Sequence, residues 1–491
     1  MPTRRFAINR IGRASLAASA AVLLGLCGPI AAASPTINWP TFGLNNHRNN
    51  YNPSETALSA STVTGLKELW HADVGSDTRF QPSLVNHVVT DAGTVNLLLV
   101  TLPKGTVAAL NAATGATVWS VSFPPTTLTC AGYSGIAGIG EPATIDVRKG
   151  RVFVVDGGGH LHALSVATGA EMSGYPVEVI DAANLAAGTW VHYASPTLVG
   201  KTLYLTTAAF QRCETAASPY HGQIIGFDTK SLSVTTRYYP TGSGGESTML
   251  GGGFWGTGGV ALDPGGAYLW GATANTLPPP QNSGNAEKIV QLDLNLHPIA
   301  INGPTLAAGG DYDFGSTPLL FTPAGCPEML AAMNKTGIIA IYNATSLTAG
   351  PTQIVNITAG GGSGRLIGMP SWDPVTNALY VGNPLDSAGG PYLHGLVALQ
   401  ADKACQFSLL WQHTVGSNGS TSPSVTPVIA NGVVYFGEGK NRQLAAFNAA
   451  TGAPLWSSAA LGKTVDAPPI IANGVVYVGV AQDIYAFGLA N

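Results

Sequence analysis

Charged residues are scarce in this 491-residue chain. Asp, Glu, Lys and Arg make up 10% of it, well below the roughly 25% of an average globular domain. The 26 acidic residues outnumber the 22 basic ones, which gives a formal net charge of −4. A nucleic-acid-binding protein needs a basic face, so this balance argues against that class.

Several signatures of catalytic and ligand sites are also missing. The chain contains no GxSxG, no HExxH and no EF-hand loop. Gly200-Lys201-Thr202 and Gly462-Lys463-Thr464 lack the Gly five positions earlier that a phosphate-binding loop requires. The cysteines form neither CxxC nor CxxCH, so neither a zinc cluster nor an attached haem is predicted.

Only the N-terminus carries an apolar run flanked by basic charge. Residues 17–28 are apolar, four arginines and no acid precede residue 34, and Ala31-Ala32-Ala33 follows the run. This order predicts a signal peptide over residues 1–33, removed on export by either the general or the twin-arginine route. The run is too short for a stable membrane anchor. We therefore expect a periplasmic or extracellular protein whose residues 34–491 form one domain.

Four cysteines remain after residue 33, and no pattern of spacing pairs them. Two disulfides are expected in an oxidising compartment, although three pairings are open and four buried free thiols are the alternative. The four residues are Cys130, Cys213, Cys326 and Cys405.

Glycine and proline, in contrast, are abundant, at 62 and 33 residues, and a short phrase recurs eight times. The phrase is a β-rich run, an apolar-Leu/Phe-Asn/Asp step, often Thr-Gly, and then Trp or another large residue. The copies are spaced about 40 to 65 residues apart, within the range expected of propeller blades with loop insertions. The copies begin at Val107, Leu161, Ile224, Ile289, Ile338, Leu396, Leu444 and Ile484.

Each copy follows a pair of β-branched runs, and the clearest pairs turn at Asn431-Gly432 and Asn473-Gly474. Asn-Gly between such runs is the strongest short hairpin signal. Each unit is therefore predicted to be a sheet of four antiparallel strands. The fold class is all-β, with helical periodicity almost absent.

The last copy lacks an outer strand, whereas Leu66-Lys67-Glu68-Leu69-Trp70 resembles an outer strand with no blade before it. Pairing the two would close the ring and leave no open sheet edge. The prediction is an eight-bladed β-propeller closed by this N-terminal strand. A seven-bladed ring with one irregular insertion is the alternative.

The repeat resembles the tryptophan-docking repeat of pyrroloquinoline-quinone (PQQ) propellers. The opening Trp39-Pro40-Thr41-Phe42-Gly43 is similar to the N-terminal segment of the PQQ alcohol dehydrogenases. The resemblance implies PQQ in the central channel, stacked on a Trp, beside a Ca²⁺ held by carboxylate and amide oxygens. A hard cation prefers oxygen ligands and polarises the quinone carbonyl, while a carboxylate accepts the alcohol proton.

Segments around residues 251–275, 310–314 and 333–337 resemble the family's site motifs in the same order. Each residue also has an ordinary structural alternative, such as packing between blades, capping a strand or lying in a solvated loop. The resemblance assigns Trp255 as the stacking residue, Asn275 as the amide ligand, Asp313 as the base, and Lys335 and Asp311 as cofactor contacts.

The sequence also departs from the family's pattern at two places. The family often has two adjacent cysteines over the cofactor, where this chain has Cys130-Ala131, so Cys130 is instead assigned to Cys213. The family's calcium-binding Glu falls at Ala217 here, and Glu214 lies three residues earlier. Glu214 is the candidate metal ligand if its loop is rearranged.

Two functions follow from the resemblance. The first is an exported quinoprotein oxidoreductase that oxidises a small alcohol or sugar with PQQ and Ca²⁺, without haem, and passes electrons to an external acceptor. The second is a non-catalytic scaffold that binds envelope proteins or glycans through its rim. The segments around Trp255, Asn275, Asp313 and Lys335 favour the first.

Overall fold

The structure is a computed structural model, and its described part is almost entirely β. The described residues are 36–130, 133–210, 220–242, 249–277, 283–305, 312–358, 368–418, 426–437 and 442–490. Within these ranges the helices are short: Ala182–Ala187 is α-helical, and Val63–Gly65 and Ala344–Ala349 are 3-10 helices. No helix in this part of the chain has the length and apolar character needed to cross a membrane.

Eight blades of four antiparallel strands follow one another along the chain, and we number them 1 to 8. The sheet of blade 7 has a fifth strand, Tyr51–Asn52, which pairs parallel with its inner strand. The first four blades come from residues 83–302. Their strands are Ser83–Thr90, Gly93–Leu102, Thr106–Asn111 and Thr117–Ser122 in blade 1; Thr144–Asp146, Arg151–Val155, His160–Ser165 and Val177–Glu178 in blade 2; Thr197–Val199, Thr202–Thr206, Ile224–Asp228 and Ser233–Tyr238 in blade 3; and Ala261–Leu262, Tyr268–Ala272, Ile289–Asp293 and Pro298–Asn302 in blade 4.

The other four blades repeat this order from inner to outer strand, and blade 8 takes its outer strand from the N-terminal part. Their strands are Leu319–Phe321, Met329–Asn334, Ile338–Asn343 and Gln353–Asn356 in blade 5; Ser371–Asp373, Ala378–Asn383, Gly395–Ala401 and Phe407–His413 in blade 6; Val428–Ala430, Val433–Gly437, Leu444–Asn448 and Pro454–Ser457 in blade 7; and Ile470–Ala472, Val475–Val480, Asp483–Leu489 and Leu66–Asp73 in blade 8.

The predicted closure of the ring is confirmed. Leu66–Asp73 pairs antiparallel with Asp483–Leu489, in a register that joins Leu66 to Leu489 and Asp73 to Asp483. The eighth sheet therefore joins a strand from the N-terminal part to the last strands of the chain. The ring has eight blades, as predicted, rather than seven.

The Asn-Gly turns have the predicted hairpin geometry. Asn431 and Gly432 both have positive φ, at 47° and 76°, and Asn473 and Gly474 do the same at 57° and 78°. Two consecutive left-handed residues match the twist of the flanking strands. These turns connect the inner and second strands of blades 7 and 8.

Tryptophans of the outer strands dock on the next blade. Trp119 Nε1 in blade 1 donates to the Val166 carbonyl of blade 2 at 2.8 Å, and Trp411 Nε1 in blade 6 donates to the Ala449 carbonyl of blade 7 at 2.8 Å. The ring of Trp411 covers Gly452, where a Cβ would lie 2.6 Å from it. The Gly of the Thr-Gly step thus provides a left-handed turn, and because it has no side chain it leaves room for the indole of the preceding blade.

The segment before the first blade, residues 36–53, contacts most of the ring. It bonds the inner strands of blades 1, 2, 7 and 8 and packs Phe42 among core residues of blades 5 and 6. Its Ile37 N–H donates to Asn473 Oδ1 in the turn of blade 8. Residues 36–53 therefore run along the inner strands, and Ile37 lies beside a turn between an inner and a second strand.

Short hairpins and a disulfide complete the described structure. The hairpins pair Thr126–Cys130 with Tyr133–Ala137, Trp190–Val191 with Ala208–Ala209, and Leu250–Gly251 with Thr276–Leu277. Cys326 and Cys405 form a disulfide that links blade 5 to blade 6. Cys213 lies outside the described residues, so the pairing assigned to Cys130 stays a prediction.

Candidate functional site

One face of the ring collects the predicted site residues. In an antiparallel blade, the start of the inner strand and the end of the second strand meet at the same face. Trp255 and Asp313 precede the inner strands of blades 4 and 5, Asn275 follows the second strand of blade 4, and Lys335 lies in the turn after the second strand of blade 5. We call this the site face. It is opposite the turns that residues 36–53 contact.

The Asp313 carboxylate is the centre of this group. Asp313 is fully buried, and its Oδ1 accepts a hydrogen bond from the backbone N–H of Asn275 at 2.7 Å. Its Oδ2 accepts from Lys335 Nζ at 2.6 Å. The Lys335 backbone N–H also donates to the Asp313 carbonyl at 2.9 Å. Blades 4 and 5 therefore hold one carboxylate between them.

Lys335 joins this carboxylate to the aromatic part of the site. Its side chain is 10% exposed, and its ammonium lies 5.7 Å from the ring centroid of Trp255. That distance is within the range of a cation–π contact. The structure thus brings Trp255, Asn275, Asp313 and Lys335 together, and the roles assigned to them stay predictions.

Tyr193 is a member of this site that sequence motifs did not assign. Its ring stacks on Trp255 with centroids 5.1 Å apart and an interplanar angle of 25°. Trp255 Nε1 is buried without a hydrogen-bond partner in the described part of the chain. Both aromatic residues precede inner strands of neighbouring blades, and this shared position is the signal that could have paired them.

Two ionisable residues near the same face are buried without compensation. Glu141 is fully buried; its Oε1 accepts from the Val155 N–H at 2.8 Å, while Oε2 has no partner among the described residues. Burial raises the pKa of Glu141 well above its usual value, because the charged form loses its hydration. Burial therefore favours the protonated form of this carboxyl.

His192 shows the opposite shift for the same reason. Within the described structure, neither ring nitrogen makes a hydrogen bond of normal geometry, and burial lowers the pKa of His192 to about 4. The ring also contacts Trp190 edge-on. Burial thus favours the uncharged form of both Glu141 and His192, and Glu141 Oε2 has no hydrogen-bond partner among the described residues.

Two of the assigned ligands are not placed by the structure. Glu214 and Asp311 lie in residues 211–219 and 306–311, outside the described ranges. Within those ranges, no group of three or more His, Cys, Asp or Glu side chains is arranged to hold a metal ion. The roles of Glu214 and Asp311 stay predictions.

Two family models match parts of the chain. The model for the glucose/ethanol/alcohol dehydrogenase β-propeller domain matches residues 39–263, and the model for outer membrane protein assembly factor BamB matches residues 402–488. Together with the eight blades, these matches identify the repeat. The predicted resemblance to the PQQ-type eight-bladed β-propeller repeat family is thereby confirmed. No curated protein sequence matches this propeller.

Solved structures share the propeller's fold at low identity. A quinohemoprotein alcohol dehydrogenase from Comamonas testosteroni is 16% identical, with a TM-score of 0.68 over 92% of this chain and 80% of that one. A europium-containing methanol dehydrogenase is 15% identical, with a TM-score of 0.68 over 92% and 98% of the two chains. BamB from Moraxella catarrhalis is 14% identical, with a TM-score of 0.56 over 86% and 99%.

Proposed function

We propose that this propeller is an exported quinoprotein-like oxidoreductase that oxidises a small alcohol or sugar with PQQ and Ca²⁺. The observation that supports it best is the buried Asp313 carboxylate. It accepts hydrogen bonds from Lys335 Nζ and from the backbone N–H of Asn275, and Lys335 lies beside the Trp255 ring. A structural core gains little stability from a buried ion pair, so a pair kept beside an aromatic residue and a buried polar group favours a functional role.

The residues present suit the cofactor. Trp255 offers an aromatic surface and a buried Nε1 that has no hydrogen-bond partner among the described residues, and Lys335 Nζ lies above that ring. Asn275 and Asp313 supply the oxygen chemistry that Ca²⁺ prefers, with Glu214 and Asp311 as the further assigned contacts. When bound, PQQ with Ca²⁺ would supply the hydride acceptor for the oxidation of the carbinol carbon.

Asp313 is assigned the role of general base for the substrate hydroxyl. Both of its carboxylate oxygens already accept hydrogen bonds, one from a backbone N–H and one from Lys335. The backbone donor is fixed by the blade, so the lysine is the donor that the substrate hydroxyl replaces. Lys335 then turns toward the ligand above Trp255, while Asn275 keeps Asp313 oriented.

The test is cofactor binding and dye reduction by the purified protein. We expect micromolar PQQ with Ca²⁺ to quench tryptophan fluorescence and to support dye reduction with short alcohols or sugars. D313N should abolish dye reduction but keep most of the quenching, because the amide still accepts from Asn275 but no longer accepts a proton. D91N, which removes an exposed Asp in blade 1, is the matched control.

The outcomes separate binding from catalysis. Fluorescence quenching without dye reduction in the unmodified protein would mean that the propeller binds PQQ but does not catalyse the oxidation. No response of either kind would remove the quinoprotein proposal, and full turnover by D313N would remove Asp313 from its role.

A non-catalytic scaffold is the second candidate, and a specific observation favours it. The BamB model matches residues 402–488, which form most of blades 7 and 8. These two blades are remote in sequence from Trp255, Asn275, Asp313 and Lys335. Under this proposal the rim binds a protein or glycan of the cell envelope, and the fluorescence and dye assays give no response.

A further inference from the structure

Arg48 is a fully buried cation that has only neutral partners. Its side chain is 0% exposed. Nη1 donates to Thr41 Oγ1 at 2.6 Å and to the Phe42 carbonyl at 2.8 Å. Nη2 donates to Thr197 Oγ1 at 2.6 Å and lies 3.2–3.3 Å from the carbonyls of Pro196 and Ser195.

No carboxylate compensates this charge. Among the described residues, Arg48 forms no ion pair, and burial is the sole cause that shifts its ionisation. Burial lowers the pKa of Arg48 to about 9, so the guanidinium remains protonated at pH 7. The other buried arginine, Arg151, shows the usual arrangement, since its Nη2 lies 3.1 Å from Asp146 Oδ2. Buried charges in proteins are normally paired in this way.

One donor of Arg48 is left over. The Nε–H is buried and has no acceptor in the described part of the chain. The backbone at Arg48 is also held at a φ of 58°, and its neighbours Leu44 and Asn50 have φ values of 79° and 53°. Non-glycine residues adopt this conformation at a cost, and such strain concentrates at functional positions.

A second unused donor faces the arginine. The Thr317 hydroxyl, at the start of blade 5, is buried and has no partner among the described residues. A Cβ built on Gly258 would lie 2.9 Å from Thr317 Oγ1 and 3.3 Å from Cδ of Arg48. The hydroxyl and the arginine stem are therefore at most about 6 Å apart. Neither Arg48 Nε nor the Thr317 hydroxyl has a partner among the described residues, so the two are not bonded to each other, and a bound species that contacts both would satisfy them.

We infer that a small monovalent anion of the size of chloride binds between Arg48 Nε and the Thr317 hydroxyl. Both groups present hydrogen atoms, and one negative charge neutralises the one uncompensated guanidinium. A divalent anion such as phosphate would need more donors and would leave a net negative charge in the core. Water satisfies the hydrogen bonds but not the charge. The site joins residues 36–53 to blade 5 and does not depend on the proposed oxidoreductase activity.

Thermal unfolding in halide solutions tests the site. Chloride is raised from 1 to 100 mM while gluconate keeps the ionic strength constant. A site with a Kd near 1 mM stabilises the folded protein enough to raise the Tm by roughly 3 °C or more. A Tm that does not change with chloride, which is the outcome expected for water, would overturn the inference.

Two threonine variants locate the effect. T317V removes the unused hydroxyl without breaking a side-chain hydrogen bond, so it should fold and should weaken the apparent chloride affinity about tenfold or more. T144V is the matched control, because Thr144 Oγ1 bonds to Thr41, Ser195 and the Pro196 carbonyl. T144V should lower the Tm at every chloride concentration and keep the halide response.

A bromide-soaked crystal gives an independent measurement. An anomalous peak within hydrogen-bond distance of Arg48 Nε and Thr317 Oγ1 is the expected result. No peak there at 100 mM bromide, or an equal halide response in T317V and the unmodified protein, would contradict the site.

Discussion

Acidification below pH 6.5 is expected to destabilise this propeller through His192, and the size of the effect can be worked out. Burial lowers the pKa of His192 to about 4, whereas an unfolded histidine titrates near 6.5. Between these values the unfolded chain binds a proton that the folded protein excludes. Stability is therefore intact above pH 6.5, falls as the pH drops, and levels off below pH 4.

The magnitude follows from the gap between the two pKa values. Each pKa unit corresponds to about 1.4 kcal/mol, so the His192 contribution falls by about 2 kcal/mol at pH 5 and about 3 kcal/mol at pH 4. The H192Q variant removes the titrating group. The difference in unfolding free energy between H192Q and the unmodified protein should change by these amounts across the range.

The assay is urea unfolding followed by tryptophan fluorescence at several pH values from 7.5 to 4.0. H87N is the matched control, because His87 is exposed and its positive φ of 56° suits Asn. We expect H87N to follow the unmodified protein at every pH. If the H192Q difference is the same at pH 7.5 and pH 4, His192 is not buried as an uncharged ring, and the reasoning fails.

Three further predictions concern stability. Burial raises the pKa of Glu141, so the stability that its protonated form contributes is lost as the pH rises. E141Q should therefore be more stable than the unmodified protein at pH 7.5, and the urea midpoints of the two proteins should converge below pH 4.5. Replacing Cys326 and Cys405 by Ser opens a loop of 79 residues, and urea midpoints should show a loss of up to about 4.5 kcal/mol, with no loss if the bridge is absent in solution. G452A and G432A both place Ala at positive φ, but only the new methyl group of G452A meets the Trp411 indole. Thermal unfolding should therefore show G452A to be less stable than G432A by about 1–3 kcal/mol, and equal losses would contradict tryptophan docking.

The ring was predictable because its signals are local and repeated. The turn at Asn431-Gly432 needs two consecutive left-handed residues, and the Asn-Gly pair alone predicts them. The same turn recurs at Asn473-Gly474. Ring closure was predictable because Leu66–Asp73 has an outer-strand pattern and no blade before it. Each inference needed only a short stretch of sequence.

The site was predictable only in part, because its contacts join separate blades. Motif resemblance selected Asp313 and Lys335, but the 2.6 Å bond between them depends on how the blade 5 turn meets the segment before its inner strand. The stacking of Tyr193 on Trp255 depends on the spacing of blades 3 and 4, which no local pattern specifies.

The burial of Arg48 could not be predicted from the sequence either. In the sequence Arg48 is one arginine in a polar N-terminal segment, and nothing local marks it as buried. Its burial follows from residues 36–53 contacting the inner strands, which is a property of the closed ring. Its hydrogen-bond partners come from residues 41–42 of the same segment and from residues 195–197 at the start of blade 3, and no local pattern shows that these residues meet.

The two candidate functions differ in what they require of one ion pair. As a base, Asp313 must exchange Lys335 for a substrate hydroxyl, so the pair must open within the catalytic cycle, and only the Asn275 N–H can hold the carboxylate meanwhile. As part of a scaffold, the pair stays closed and links blade 5 to the segment before it. An apolar replacement would serve a closed pair equally well or better, since buried ion pairs seldom improve stability over well-packed apolar residues. The retained charges, placed beside an indole with an unused N–H, therefore support chemistry at this face more than they support the scaffold.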